Sequence, residues 1–67
     1  MRARLTRAEI NILELIAEGF DNKKIAEIED ISDKTVAVHI KNIYKKLKLP
    51  SGNSRVLATI YYLKHFA

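Results

Sequence analysis

Apolar side chains recur along this chain at helical spacing, three and four residues apart, and no segment alternates apolar and polar residues with a period of two. The strong helix breakers are Gly19 and the stretch Pro50-Ser51-Gly52-Asn53. This pattern predicts an all-α four-helix bundle. The predicted helices cover residues 7–19, 22–29, 33–48 and 54–66.

Capping residues mark the predicted helix starts. Thr6 followed three residues later by Glu9 matches a capping box, in which each side chain accepts a hydrogen bond from the other residue's amide. Asp21 and Ser32 are suitable N-caps for the second and third helices. Gly19 can adopt the left-handed conformation that closes the first helix.

The third predicted helix has two faces. Its apolar stripe faces the core and consists of Val36, Ile40, Ile43 and Leu47. Its second stripe is basic, apart from one valine, and consists of Lys34, Val38, Lys41, Lys45 and Lys48. A helix about 10–12 Å wide fits the major groove of DNA, where lysines pair with phosphates or guanine and a valine methyl contacts thymine. An ordinary solvated face has the same pattern, so the stripe alone leaves both interpretations open.

The short helix before this stripe favours DNA. A helix of two turns, a tight turn at residues 30–32 and a longer helix with a basic outer face are typical of a helix-turn-helix. In that motif the second helix enters the groove and the first crosses the backbone. Lys23 and Lys24, at the start of the shorter helix, are expected to lie near phosphates, with the helix N-terminus adding to the attraction.

The distribution of charge supports a polyanionic partner. All 8 acidic residues lie between Glu9 and Asp33, whereas the chain from Lys34 onwards carries basic residues and no acid. The formal net charge is +4, and this asymmetry favours nucleic acid. At 67 residues we expect one domain over residues 1–67. No apolar run reaches the length of a membrane span, so we expect no membrane partner and a cytoplasmic location.

Residues for catalysis or cofactor binding are not evident in the sequence. The chain has no cysteine, its two histidines are His39 and His65, and it has no glycine-rich phosphate loop. We therefore predict no enzyme activity, no cofactor, no metal site and no small-molecule ligand.

The fourth predicted helix is apolar over a wide arc. One stripe consists of Val56, Ile60, Leu63 and Phe66, and Leu57, Ala58 and Tyr61 widen it. Either extra core packing or self-association accounts for this arc, and its width favours self-association. We predict a homodimer formed through Val56, Ile60, Tyr61 and Leu63, which sets the spacing of two DNA half-sites.

Many short motifs in order resemble the LuxR/FixJ/GerE DNA-binding domain. They are Leu5-Thr6-Arg7-Ala8-Glu9, Ile16-Ala17-Glu18-Gly19, Asn22-Lys23-Lys24-Ile25-Ala26, Ile31-Ser32, Lys34-Thr35-Val36, His39, Asn42-Ile43 and Lys46-Leu47. The resemblance runs from Leu5 to about Ala58. It implies a four-helix bundle whose third helix reads promoter DNA in the major groove and whose fourth helix pairs two subunits.

The resemblance also assigns DNA-contacting residues. Groove contacts fall on Lys34, Val38 and Lys41, with Ala37 also facing the groove, and Lys45 extends the basic stripe. The residues expected near the DNA backbone are Thr35, Asn22, Lys23 and Lys24.

Three positions depart from the family pattern. Ala37 stands where the family often has lysine, so one groove contact is expected to be missing. Glu29 stands where the family usually has leucine, and Ile28 is expected to supply the lost core contact. Arg55 comes about three residues late, which predicts a longer loop before the fourth helix.

Two other binding functions remain as alternatives. One is a module like the promoter-reading region of a sigma factor, which contacts DNA only together with RNA polymerase. The other is a degenerate helix-turn-helix that captures a related regulator through its fourth helix. The first should gain DNA affinity from polymerase, and the second should bind DNA barely at all.

Overall fold

Four helices make up the computed structural model, which describes residues 4–66. They are α1 (Arg7–Ala17), α2 (Asn22–Glu29), α3 (Asp33–Lys46) and α4 (Ser54–His65). The predicted all-α bundle is confirmed. The predicted first and third helices were each two residues too long at their C-terminal ends, and the predicted fourth helix was one residue too long.

The helices begin at the predicted caps. Thr6 and Glu9 form both hydrogen bonds of a capping box, with the N–H of Thr6 donating to Glu9 Oε1 at 2.9 Å and the N–H of Glu9 donating to Thr6 Oγ1 at 3.1 Å. The Asp21 carboxylate caps α2, and the Ser32 hydroxyl caps α3. The Asn53 side chain makes no such bond at the start of α4.

The helices α1, α2 and α3 end in one manner, and the predictions for α1 and α3 were too long because they included the left-handed residue of this ending. A residue in the left-handed conformation follows each helix, and the next N–H donates to a carbonyl five residues back, as in a Schellman motif. The left-handed residues are Gly19, Asp30 and Lys48, with φ of 93°, 57° and 56°. The hydrogen bonds are Phe20 to Leu15, Ile31 to Ala26 and Leu49 to Tyr44. Because Lys48 is not a glycine, no residue pattern indicates that α3 ends before it.

The core lies between α1 and α3, with α2 and α4 packed against them. Its buried apolar residues are Ile12, Leu13, Ile16, Ile25, Ala26, Val36, Ile40, Ile43 and Ala58. Leu47, predicted for the core, is half-buried and packs against this cluster. The interior face of α3 is therefore the predicted one.

The prediction for Ile28 was wrong. Its side chain is 45% exposed, whereas that of Glu29 is half-buried. Ile25 and Ala26 define the inner face of α2, and Glu29 follows them by four and three residues on that same side. Ile28 lies off this face and supplies no buried core contact. Ile31, in the turn after α2, does pack against the core.

An ion pair joins the start of α1 to the end of α3. Lys46 Nζ donates to Glu9 Oε1 at 2.8 Å, and the Glu9 side chain is almost fully buried. Burial by itself raises the pKa of Glu9, but the hydrogen bonds from Lys46 and Thr6 and the charge of Lys46 outweigh burial and lower this pKa below its ordinary value of 4.5. The charged form of Glu9 therefore contributes to the stability of the fold.

Candidate nucleic-acid interface

The helix-turn-helix is formed by α2, a tight turn and α3. The turn is closed by Asp30 in the left-handed conformation and by the N–H of Ile31, which donates to the Ala26 carbonyl at 3.0 Å. Ser32 then starts α3 by accepting the Thr35 N–H at 3.0 Å, and its hydroxyl also lies 2.9 Å from the Thr35 hydroxyl. These bonds fix the direction in which α3 leaves the turn.

The structure separates the two faces of α3 as predicted. Val36, Ile40 and Ile43 are buried. The exposed residues include those predicted for the DNA groove and its margin, namely Lys34, Thr35, Ala37, Val38, Lys41 and Lys45. Val38 is 52% exposed and lies among these lysines on the outer face.

The lysines of this face are not engaged with acids of the domain. Within residues 4–66 the ion pairs are Lys46–Glu9 and Lys24–Glu27. Lys34, Lys41 and Lys45 pair with no described carboxylate, so their charges remain available to an external anion. The outer face of α3 is thus a row of cations around a small apolar centre, Ala37 and Val38.

The start of α2 carries the remaining predicted backbone contacts. Lys23 and Lys24 are exposed, and Asn22 is half-buried. Lys24 Nζ lies 3.6 Å from Glu27 Oε1, with both side chains more than half exposed, which makes this a weak surface pair. Asp21 Oδ1 accepts the Lys24 N–H at 2.9 Å. One of the first-turn amides of α2 is therefore occupied by an acidic side chain, and the others are not capped by it.

A contact that the sequence did not predict joins α4 to the start of α2. Arg55 Nη1 donates to Asn22 Oδ1 at 3.0 Å, and Arg55 Nη2 donates to the carbonyl oxygen of Phe20 at 2.7 Å. The family resemblance indicated only that Arg55 comes about three residues later than in the family pattern. No local pattern relates residues that are more than thirty positions apart.

The outer side of α4 carries an apolar stripe. Val56, Ile60 and Leu63 are 60%, 44% and 57% exposed, so the core does not use them. Tyr61 lies apart from these three: it is half-buried against the core, and its ring centroid is 4.3 Å from that of His65. The four residues predicted for dimerisation are therefore divided between two sides of α4.

Other site types gain no support from the described residues. Residues 4–66 contain no cluster of three or more histidine or acidic side chains arranged to hold a metal. None of their helices is long and apolar enough to pass through a bilayer. His39 is half-buried at the margin of the basic face of α3.

Comparison with known proteins agrees with this geometry. The profile of the family described as "Bacterial regulatory proteins, luxR family" matches residues 3–61, which is most of the chain. This chain belongs to the luxR family. The matched segment contains the whole of α1, α2 and α3 and most of α4.

Similar proteins include bacterial response regulators. The chain is 45% identical over 60 residues to the nitrate/nitrite response regulator protein NarP of Escherichia coli K12, covering 90% of this chain and 26% of NarP. It is 49% identical over 57 residues to NarL of the same strain, covering 85% of this chain and 25% of NarL. Against the response regulator protein VraR of Staphylococcus aureus Mu3 it is 43% identical over 61 residues, covering 91% of this chain and 28% of VraR. The chain thus spans about a quarter of the length of these relatives.

Proposed function

We propose that this luxR-family domain binds double-stranded DNA sequence-specifically in the bacterial cytoplasm and thereby regulates transcription. The observation that carries the proposal is the outer face of α3, the helix that follows the turn after α2. On this face, lysines that pair with no described carboxylate surround the exposed side chains of Ala37 and Val38. A row of cations alone suits any polyanion. An apolar centre within it suits a surface that also displays methyl groups, as the major groove does at thymine.

The interface has two parts with separate roles. Lys34, Lys41 and Lys45 pair with phosphates or guanine acceptors, and Ala37 and Val38 contact base edges. The backbone contacts come from Thr35 and from the start of α2, with Asn22, Lys23 and Lys24. Phosphate contacts set affinity and register, whereas the contacts of α3 to bases set the preferred sequence.

The exposed stripe of α4 supports a homodimer on DNA. Val56, Ile60 and Leu63 present apolar side chains to solvent on the side opposite the core. Pairing two copies through this stripe removes that apolar surface from water. A two-fold dimer of this kind reads two inverted half-sites about one helical turn, roughly 34–36 Å, apart.

Selection from a random double-stranded DNA pool tests the proposed function. The bound fraction should be enriched in a short motif, and an inverted repeat of that motif indicates two copies on one site. Absence of enrichment, with only weak salt-sensitive binding, refutes sequence-specific reading by this domain alone. Binding that appears only with RNA polymerase, or only to another regulator, then identifies one of the two alternative functions.

Salt titration on the selected duplex tests the role of the basic face. Lys41→Ala should weaken binding and lower the log–log salt slope by about 0.9, the value for one lost phosphate contact. Its matched control is Lys64→Ala, which removes the same charge from the exposed end of α4. An equal loss of slope in both variants would mean that net charge, and not the α3 face, determines binding.

A further inference from the structure

We propose that Arg55 is a positioning residue for DNA binding: it orients the Asn22 side chain so that only hydrogen-bond donors face the phosphate backbone. This inference rests on the proposed DNA-binding function and adds a residue to it from outside the helix-turn-helix. Its basis is the pair of hydrogen bonds from the Arg55 guanidinium to Asn22 Oδ1 and to the Phe20 carbonyl oxygen, 3.0 and 2.7 Å long.

The chemistry of this pair determines which end of the amide points outwards. A guanidinium has five N–H donors and no acceptor, so only the oxygen of Asn22 can satisfy it. The NH2 group of Asn22 is therefore turned away from Arg55. A phosphate oxygen accepts hydrogen bonds and donates none, so it requires this orientation. Without Arg55 the amide can present either end, and the oxygen end repels a phosphate.

The second hydrogen bond fixes the position of the whole helix start. Phe20 and Asn22 flank Asp21, the residue that caps α2. By binding on both sides of the cap, one guanidinium holds the first turn of α2 against α4. Both Arg55 and Asn22 are half-buried, so water competes less for these bonds than at a fully exposed site.

The loop before α4 brings Arg55 to the start of α2. The Ser54 hydroxyl donates to the Pro50 carbonyl oxygen at 2.6 Å and closes the loop upon itself. Arg55 follows directly as the second residue of α4. Although the loop delays Arg55 in the sequence, the residue still reaches the start of α2. The neighbouring Val56 lies on the exposed apolar stripe, so the proposed dimer helix and the DNA contact are linked through adjacent residues.

A double-mutant cycle tests the proposal on the duplex selected by the wild-type domain. Arg55→Met keeps the aliphatic stem without donors, and Asn22→Ala removes the amide. Each variant should bind about tenfold more weakly, as expected for loss of a hydrogen bond to a charged group. The double variant should bind no more weakly than the single variants, since both remove one contact.

The salt slope distinguishes an indirect role from a direct one. Because Asn22 is uncharged, Arg55→Met should leave the log–log slope at the wild-type value. A slope lower by about 0.9 would show that Arg55 itself contacts a phosphate and would overturn the proposal. Additive losses in the double variant, or unchanged binding in Arg55→Met, would also overturn it. Failure of the wild-type domain to bind any duplex would instead refute the proposed function from which the inference starts.

Two further variants separate positioning from folding. Asn22→Asp gives Arg55 a charged partner at a helix N-terminus, so the melting temperature should stay the same or rise while DNA affinity falls. Arg55→Lys retains a group that only donates and should recover most of the affinity lost in Arg55→Met. The added charge of Asn22→Asp lowers affinity by itself, so the comparison that decides is among Arg55→Met, Arg55→Lys and Asn22→Ala. A purely structural role predicts that their DNA affinities follow their melting temperatures, and this result would overturn the proposal. Should Arg55→Met fail to fold, Arg55→Lys and Asn22→Ala supply the same comparison.

Discussion

At the scale of single residues, Asp21 stabilises the start of α2 but places a negative charge within the proposed interface. Its carboxylate caps α2 by accepting the Lys24 N–H, and a negative charge at this end of a helix is favourable. The same exposed carboxylate stands at the place where the proposed interface meets phosphates. We therefore expect the residue that stabilises the helix start to oppose the proposed DNA binding there.

Asp21→Asn should strengthen DNA binding. Asparagine caps helices as well as aspartate does, so the fold should lose little stability. Two unit charges about 4 Å apart in water interact by about 1 kcal/mol, which corresponds to an increase in affinity of up to about fivefold. Titration of the selected duplex measures the effect. Glu18→Gln removes a charge from the exposed end of α1 and is the matched control; an equal gain in both variants would mean that Asp21 has no local effect.

At the scale of helices, the Glu9–Lys46 pair connects α1 to α3 and therefore supports the helix that carries the proposed interface. Glu9 also completes the capping box of α1, so one buried carboxylate serves two helices. Lys46 belongs to the C-terminal turn of α3, where a positive charge is favourable. The lysine is thus a stabilising residue and does not belong to the exposed row of Lys34, Lys41 and Lys45.

This pair predicts a specific pH dependence of stability. The pKa of Glu9 is lowered in the folded state, so its contribution is complete above its unfolded pKa of about 4.5 and is lost as pH falls through the lower folded value. Glu9→Gln should reduce the free energy of unfolding at neutral pH by about 1–3 kcal/mol. The free energies of unfolding of the wild type and of Glu9→Gln, measured by chemical denaturation from pH 7 to pH 3, should converge at acid pH. The matched control is Glu27→Gln, at an exposed glutamate. A difference in free energy of unfolding between the wild type and Glu9→Gln that stays constant with pH would contradict this explanation.

Local patterns in the sequence were enough to predict most of the helical framework. The N-caps Thr6, Asp21 and Ser32 and the two faces of α3 depend on residues within a few positions of each other, where sequence patterns are informative. The end of α3 was missed because Lys48, and not a glycine, adopts the left-handed conformation. Ile28 was misplaced because a comparison with the family pattern identified a missing leucine but not the inner face of α2.

The contact between Arg55 and Asn22 was beyond sequence reasoning for a different reason. The two residues lie on different helices and are 33 positions apart, so only the packed structure brings them together. Tyr61 packs against the core, whereas Val56, Ile60 and Leu63 are exposed, and this difference also depends on which side of α4 meets the core. Helix periodicity could show that α4 is apolar over a wide arc but not which part of that arc remains exposed.

At the scale of the whole molecule, the domain has two exposed surfaces of different character. The outer face of α3 is basic and the outer side of α4 is apolar, and the core occupies the space between the helices. The buried core of the described residues is aliphatic and belongs to a short chain, so the fold is expected to have modest stability. Dimer formation on DNA would add buried apolar surface to it.

Leu63→Gln tests the proposed dimer without disturbing the core, because this leucine is 57% exposed. Burying a leucine fully contributes about 1.5–3 kcal/mol, and a two-fold interface loses this contribution twice. The variant should keep its melting temperature and its affinity for one half-site but lose cooperative binding to two. Sedimentation on a two-half-site duplex counts the bound copies. Lys64→Gln is the neighbouring control, and cooperativity that survives Leu63→Gln would contradict dimerisation through this stripe.

Whether α3 reads the major groove is tested most directly by a nuclear magnetic resonance experiment on the complex with the selected duplex. Isotope-filtered spectra should show contacts between the Val38 methyl groups and major-groove protons of the bases. Amide shifts should concentrate on the outer face of α3 and at the start of α2. Shifts confined to α1 or α4, with Val38 unchanged when DNA is bound, would contradict the account that α3 reads the groove.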